Sequence, residues 1–145
     1  MPRSSSDNSL PSSEKYLIFR SAYSKLNSYI ANDEFLAAHV IAFSILEDRV
    51  LAARIQCDEL VNEPMNPKIN KNKIPFEKSA KKLLELTVID SQLYESLLAC
   101  ADERNEFIHQ AMWRLTDFNK KSILNLRATI NAIEKKRKFF IKQRK

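Results

Sequence analysis

The stretch FLAAHVIAFSIL, residues 35–46, decides the fold of this chain. Only His39 and Ser44 interrupt its apolar residues, so a helix built from it has almost no polar face. Such a helix has to be covered by other elements on several sides. We therefore predict that a helix over about 33–62 lies at the centre of the domain, and that His39 is a neutral residue of its core.

Apolar residues spaced three and four positions apart predict further helices on both sides of this central one. Pro75 suits the first position of a helix, and Asp90 and Asp117 suit the caps of two others. A break near Ala101–Asp102 is possible, which would place Arg104 at the start of a new helix. The prediction is an all-α fold, an up-and-down bundle of four to five helices, spanning about 14–30, 33–62, 75–88, 91–115 and 118–142.

The ends of the chain differ in composition from the single domain predicted over 14–142. Residues 1–13 are polar and contain two prolines, so we predict a disordered tail. Residues 134–145 contain seven of the 24 basic residues and one of the 18 acidic residues, so the rest of the chain is balanced in charge. This basic helix end predicts nucleic-acid binding by Lys135, Lys136, Arg137 and Lys138. The alternative is a solvated helix end whose cations suit the helix dipole.

Composition argues against several other classes of protein. The chain has no glycine, which is unfavourable for a hairpin-rich β fold. No apolar run is long enough to cross a membrane, and the N-terminus lacks the apolar core of a secretion signal. Cys57 and Cys100 are therefore predicted to be reduced, buried thiols of a cytoplasmic protein rather than a disulfide. No residue spacing points to a metal or another cofactor.

The sequence Arg104-Asn105-Glu106-Phe107-Ile108-His109 carries the candidate functional residues. Arg104 interrupts an apolar helical seam, and Glu47 interrupts a second seam on the central helix. A buried arginine needs a charged partner or access to a cleft, so we expect the two seams to meet at an ion pair between Arg104 and Glu47, with Asp48 as the alternative acid. Asn105 and His109, four residues apart, share one helix face.

These residue types suit the cleavage of RNA without a metal. The ribose 2′-OH attacks the neighbouring phosphorus when a base takes its proton, and an acid protonates the leaving 5′-oxygen. His109 suits the proton transfers, Arg104 suits stabilisation of the charged phosphate, and Asn105 suits positioning. Glu47, or Asp48 in its place, would hold Arg104. The reaction needs two proton-transfer groups, which a two-fold dimer would supply from two copies of the motif.

Arg104, Asn105 and His109, together with an acidic residue on an earlier helix, resemble the site of the HEPN superfamily. The ribonucleases of that family carry an Arg-x4–6-His motif on a small helical bundle, and the resemblance can cover residues 14–142. It implies a metal-independent endoribonuclease that works as a homodimer with a composite cleft. It also implies a role as a toxin or in defence against phage, with an antitoxin as partner. For the non-catalytic proteins that resemble this family, it implies a nucleotidyltransferase as partner.

A non-catalytic helical module that binds nucleic acid or a protein is the alternative. In that interpretation Arg104 and Glu47 form a structural pair, and the basic helix end recruits the partner. Gln110, where many HEPN proteins have a small residue, favours this alternative. The intact Arg-Asn-x-x-x-His pattern favours the enzyme, because binding alone does not need a titrating histidine beside an asparagine.

Overall fold

The structure is a computed structural model that describes residues 12–110 and 119–144. The described residues form five α-helices and one short 3-10 turn at Lys71–Lys73, without any strand among them. The predicted all-α bundle is therefore confirmed. The helices are α1 (Ser12–Ala31), α2 (Phe35–Val61), α3 (Phe76–Glu85), α4 (Ser91–Gln110) and α5 (Lys120–Gln143).

Helix α2 is the centre of the bundle, as its apolar sequence predicts. Its most extensive contacts are with α1, α3 and α5, and α4 packs mainly against α3 and α5. The buried residues of α2 face several directions because neighbours cover it on several sides. One core results, to which α5 contributes the predicted stripe Ile123, Leu126, Ile130, Ile133 and Phe140.

Two helix ends show how a chain without glycine makes its turns. At the end of α3 the amides of Thr87 and Val88 donate to the carbonyls of Leu84 and Leu83, which is a Schellman motif. Its left-handed residue is Thr87, with φ 60°, and Asp33 plays the same part after α1 with φ 57°. The sequence predicts Asp or Asn at such positions, but it does not predict a β-branched threonine there.

The two cysteines are free and buried in the core. Burial raises the pKa of the Cys57 thiol to about 11. It also raises the pKa of Cys100, against the opposing effect of a hydrogen bond with Thr129. Both thiols are therefore protonated at neutral pH and poorly nucleophilic.

Several predicted boundaries differ from those in the structure. Helix α1 begins at Ser12, two residues before the predicted start at 14, and the rest of the predicted tail, residues 1–11, lies outside the described residues. Helix α4 runs without a break from Ser91 to Gln110, so Arg104 lies inside a helix and not at the start of one. Asp117 lies outside the described residues, and the side chain of Asn119 caps α5 by accepting from the amide of Ser122. Among the described helices, none is both long and apolar enough to cross a membrane.

Candidate functional site

A groove of about 270 Å³ lies between α2 and α4, at the position where the sequence predicts the two charged residues to meet. Its rim carries three apolar side chains, Leu36, Val40 and Ile108, which are between 43% and 60% exposed. Leu36 and Val40 belong to the apolar seam that Glu47 interrupts, and Ile108 to the seam that Arg104 interrupts. Such seams predict core positions, and this is wrong for these three side chains, which no other helix covers among the described residues. The remaining lining residues are His39, Phe43, Ser44, Glu47, Arg104 and Phe107.

Arg104 is held in this groove by one ring and one acid. Its guanidinium carbon lies 4.5 Å from the centre of the buried Phe43 ring, which is a cation–π contact. Its Nη1 lies 3.9 Å from Oε1 of Glu47, a distance that makes the contact a charge pair without a hydrogen bond. The Nε atom is buried and has no hydrogen-bond partner in the part of the chain that the structure describes. The side chain as a whole is 30% exposed, so an anion in the groove can reach the guanidinium.

Glu47, and not Asp48, is the acid that faces Arg104. Burial raises the pKa of the Glu47 carboxyl, and the nearby charge of Arg104 opposes that effect. The carboxylate of Asp48 lies 2.8 Å from Nη2 of Arg49 instead. Arg49 also lies against the ring of Phe19 and is 3.5 Å from Glu134, so its cluster links α2 to α1 and α5, away from the groove.

His39 is a groove residue to which the sequence assigns only a place in the core. It is 3% exposed, and its ring meets the edge of Phe107 with 5.1 Å between the ring centres. Its Nε2 lies 3.6 Å from Oε1 of Glu103. Burial lowers the pKa of His39 and Arg104 adds to this, whereas Glu103 opposes it. The i, i+4 spacing from His39 to Phe43 and on to Glu47 is the sequence signal that these residues share a line.

Asn105 and His109 lie outside the groove and are exposed on α4. Five residues at 100° each place His109 about 140° around the helix axis from Arg104. The two side chains therefore leave the helix in different directions, and α4 does not bring them together on one face.

The basic side chains at the end of α5 form two groups, one that bonds to other side chains of the bundle and one that is exposed to solvent. Arg137 donates to Oε2 of Glu134 at 2.8 Å and to Oε1 of Gln56 at 2.9 Å, so it fastens α5 to α2. It is therefore a poor candidate for nucleic-acid binding. The other predicted residues, Lys135, Lys136 and Lys138, are exposed.

A second, larger groove of about 560 Å³ lies between α1 and α2. Its walls are mainly apolar, and of the predicted site residues only Asp48 lines it. Across residues 12–110 and 119–144 there is no group of three or more His, Cys, Asp or Glu side chains that could hold a metal ion.

Comparison with known proteins adds no assignment to these observations. No protein-family model, no curated protein and no solved structure matches this chain.

Proposed function

We propose that the protein is a dimeric, metal-independent endoribonuclease. The observation that carries the proposal is the state of Arg104, whose guanidinium is fixed on Phe43 and beside Glu47 at an open groove. Its contact with Glu47 is too long for a hydrogen bond, and its side chain is 30% exposed. A fixed and accessible cation is suited to stabilise the charge that develops on a phosphate during cleavage.

The proposed roles follow from the chemistry of each side chain. His109 is exposed and takes or delivers a proton, either from the attacking 2′-OH or to the leaving 5′-oxygen. Arg104 stabilises the pentacoordinate phosphate, and Asn105 positions the phosphate or the imidazole. Glu47 orients Arg104 without itself contacting RNA. The products are a 2′,3′-cyclic phosphate and a free 5′-hydroxyl.

A second copy of the chain completes this proposed site. The angle between Arg104 and His109 on α4 favours a cleft on the two-fold axis, in which Arg104 of each copy faces His109 of the other. The exposed side chains of Leu36, Val40 and Ile108 surround the groove, and they offer apolar area that a second copy can bury. The two-fold arrangement also brings two imidazoles to one cleft, which supplies the acid and the base.

The second candidate function is a non-catalytic binding module. It is favoured by the contacts of Arg104 with Glu47 and Phe43, because these would suffice to explain a buried arginine as part of the fold. In this case the exposed lysines of α5 bind the partner, and the groove between α2 and α4 does not catalyse a reaction. A toxin or phage-defence role and an antitoxin or nucleotidyltransferase partner rest on the HEPN resemblance alone. A cytoplasmic location rests on the composition of the N-terminus and on the two unpaired cysteines.

The experiment that tests the proposal compares cleavage of total RNA and of tRNA in EDTA. The wild type is set beside the Arg104→Ala, His109→Ala double variant and a control, Lys78→Ala, at an exposed position on α3. We expect the wild type and the control to cut and to leave 2′,3′-cyclic phosphate ends, and the double variant to be inactive. If all three proteins behave alike, Arg104 and His109 are not the catalytic residues.

The dimer is tested separately by light scattering coupled to size exclusion. Ile108→Glu places a charge on the rim of the groove without changing Arg104 or His109. We expect this variant to be monomeric and inactive. Leu17→Glu, at an exposed apolar position on α1 away from the groove, is the control and should behave as the wild type. An active monomer would contradict the composite site.

A further inference from the structure

Helix α5 has an unusual distribution of charge. Between Lys120 and Gln143 it carries eight basic residues and a single acid, Glu134. That acid is occupied, because its two oxygens contact Arg49 and Arg137 on the side of the helix that faces α2. The exposed side of α5 therefore has no carboxylate of its own to neutralise its lysines.

Helical geometry gathers part of this charge on one face. Five lysines lie within a sector of about 100° around α5, together with Leu124, Ala128, Asn131 and Phe139. All of these residues are exposed, and the face extends for about 33 Å along the helix axis. None of the five lysines forms a salt bridge within the described residues. We call this surface the lysine face, defined by Lys120, Lys121, Lys135, Lys138, Phe139 and Lys142.

The two adjacent phenylalanines near the end of α5 differ in exposure because they point about 100° apart. Phe140 is 5% exposed and belongs to the core, where Arg144 covers its ring. Phe139 is 60% exposed and lies between Lys135 and Lys142 on the lysine face. Core packing thus accounts for Phe140 and does not account for Phe139. An exposed aromatic ring flanked by unpaired cations is a combination that binds bases and phosphates together.

We propose that the lysine face binds single-stranded nucleic acid, with Phe139 stacked on a base and the lysines on the flanking phosphates. A single strand is specified because the bases of a duplex are already stacked on each other and cannot receive the ring. Recognition is by charge and stacking and so is tolerant of sequence. The proposal does not depend on cleavage, because the face lies on α5 and contains none of the residues assigned to the reaction.

The test measures binding by fluorescence anisotropy at several salt concentrations. The probes are 12-nucleotide strands of polyuridine and polythymidine, and the second has no 2′-OH and survives the proposed cleavage. The variants are Phe139→Ala and the triple variant Lys135→Ala, Lys138→Ala, Lys142→Ala. Lys25→Ala, Lys78→Ala, Lys81→Ala is the matched control, since it removes the same charge from exposed positions on α1 and α3. Circular dichroism verifies that each variant is folded.

The two variants should fail in different ways. Phe139→Ala should weaken binding about 5- to 150-fold while leaving the salt dependence unchanged, because one stacked base is lost. The triple variant should weaken binding and reduce the slope of log K against log salt by about 2, because three phosphate contacts are lost. The control should bind as the wild type does.

Other outcomes would overturn the proposal. They are no binding by the wild type, equal losses in the triple variant and its control, or unchanged binding by Phe139→Ala. Binding to vesicles of phosphatidylserine and phosphatidylcholine but to neither strand would assign the face to a membrane instead. Binding without any cleavage would contradict the proposed function and leave this inference intact, and cleavage without binding at the lysine face would do the reverse.

Discussion

The substitution Glu47→Gln separates a structural from a functional role of the groove. Burial raises the pKa of Glu47, and Arg104 offsets only part of that effect. The folded protein therefore binds this proton more tightly than the unfolded chain does, so ionisation of Glu47 lowers stability. Glutamine has almost the same shape without the charge. We expect the variant to be more stable than the wild type at neutral pH, and to cleave RNA more slowly because Arg104 loses its orienting charge.

The gain in stability equals the cost of burying the charge of Glu47 minus the attraction of that charge to Arg104. Two unit charges at 3.9 Å attract each other by about 1 kcal/mol in water, and by more in less polar surroundings. The side chains of Arg104 and Glu47 are 30% and 43% exposed, so solvent screens both their attraction and the cost of burial. We therefore expect a net gain in unfolding free energy of below about 1 kcal/mol. A gain of about 0.5 kcal/mol raises the Tm by roughly 2 °C in a domain of this size.

The assay is urea unfolding of both proteins at pH 7.5 and at a series of lower values. The gain should be full above the raised pKa of Glu47. It should disappear as the pH falls towards the ordinary glutamate pKa of about 4.3, because both proteins then carry a neutral group. Asp48→Asn is the matched control, which should lose stability because Asp48 lies 2.8 Å from Arg49. A Glu47→Gln variant that is less stable at pH 7.5, or whose gain is independent of pH, would refute this reasoning.

Two further predictions concern stability. Thr87 has φ 60°, which strains a β-branched residue, so Thr87→Gly should raise the Tm by about 3–5 °C in a thermal melt, and a lower Tm would contradict this. Burial lowers the pKa of His39, so the folded protein holds this proton less tightly than the unfolded chain does. Stability should therefore fall as the pH drops below the ordinary histidine value of about 6.5. In urea titrations the His39→Gln variant should lose less unfolding free energy than the wild type over that pH range. If the unfolding free energies of the two proteins fall in parallel with pH, His39 is not the cause of the loss.

Residue patterns account for most of the fold and for only part of the candidate site. The period of apolar residues locates the helices to within a few positions, and the stripe from Ile123 to Phe140 is buried as predicted. The same pattern is wrong for Leu36, Val40 and Ile108. A seam shows which side chains share a helix face, but it does not show whether a neighbouring helix comes close enough to cover them.

In the candidate site, too, local sequence patterns predict which residues share a helix face, and only the tertiary structure shows which residues of different helices meet. The sequence places Asn105 and His109 on one face because that follows from the 3.6-residue period alone. The sequence does not decide whether Glu47 or Asp48 is the partner of Arg104. They are adjacent on α2 and point about 100° apart, and only the position of α4 selects Glu47. The contact of His39 with Glu103 likewise joins residues far apart in the chain, so no local pattern reports it.

The sequence by itself therefore determined the helical class, the central place of α2 and the buried stripe of α5, because helix formation and amphipathicity depend on neighbours along the chain. The tertiary structure alone decided that the groove is open, that Glu47 and Phe43 hold Arg104, and that Glu134 and Gln56 hold Arg137. These features depend on the distance and rotation between packed helices. Those quantities are set by the fit of whole side-chain surfaces and are not encoded in any one segment.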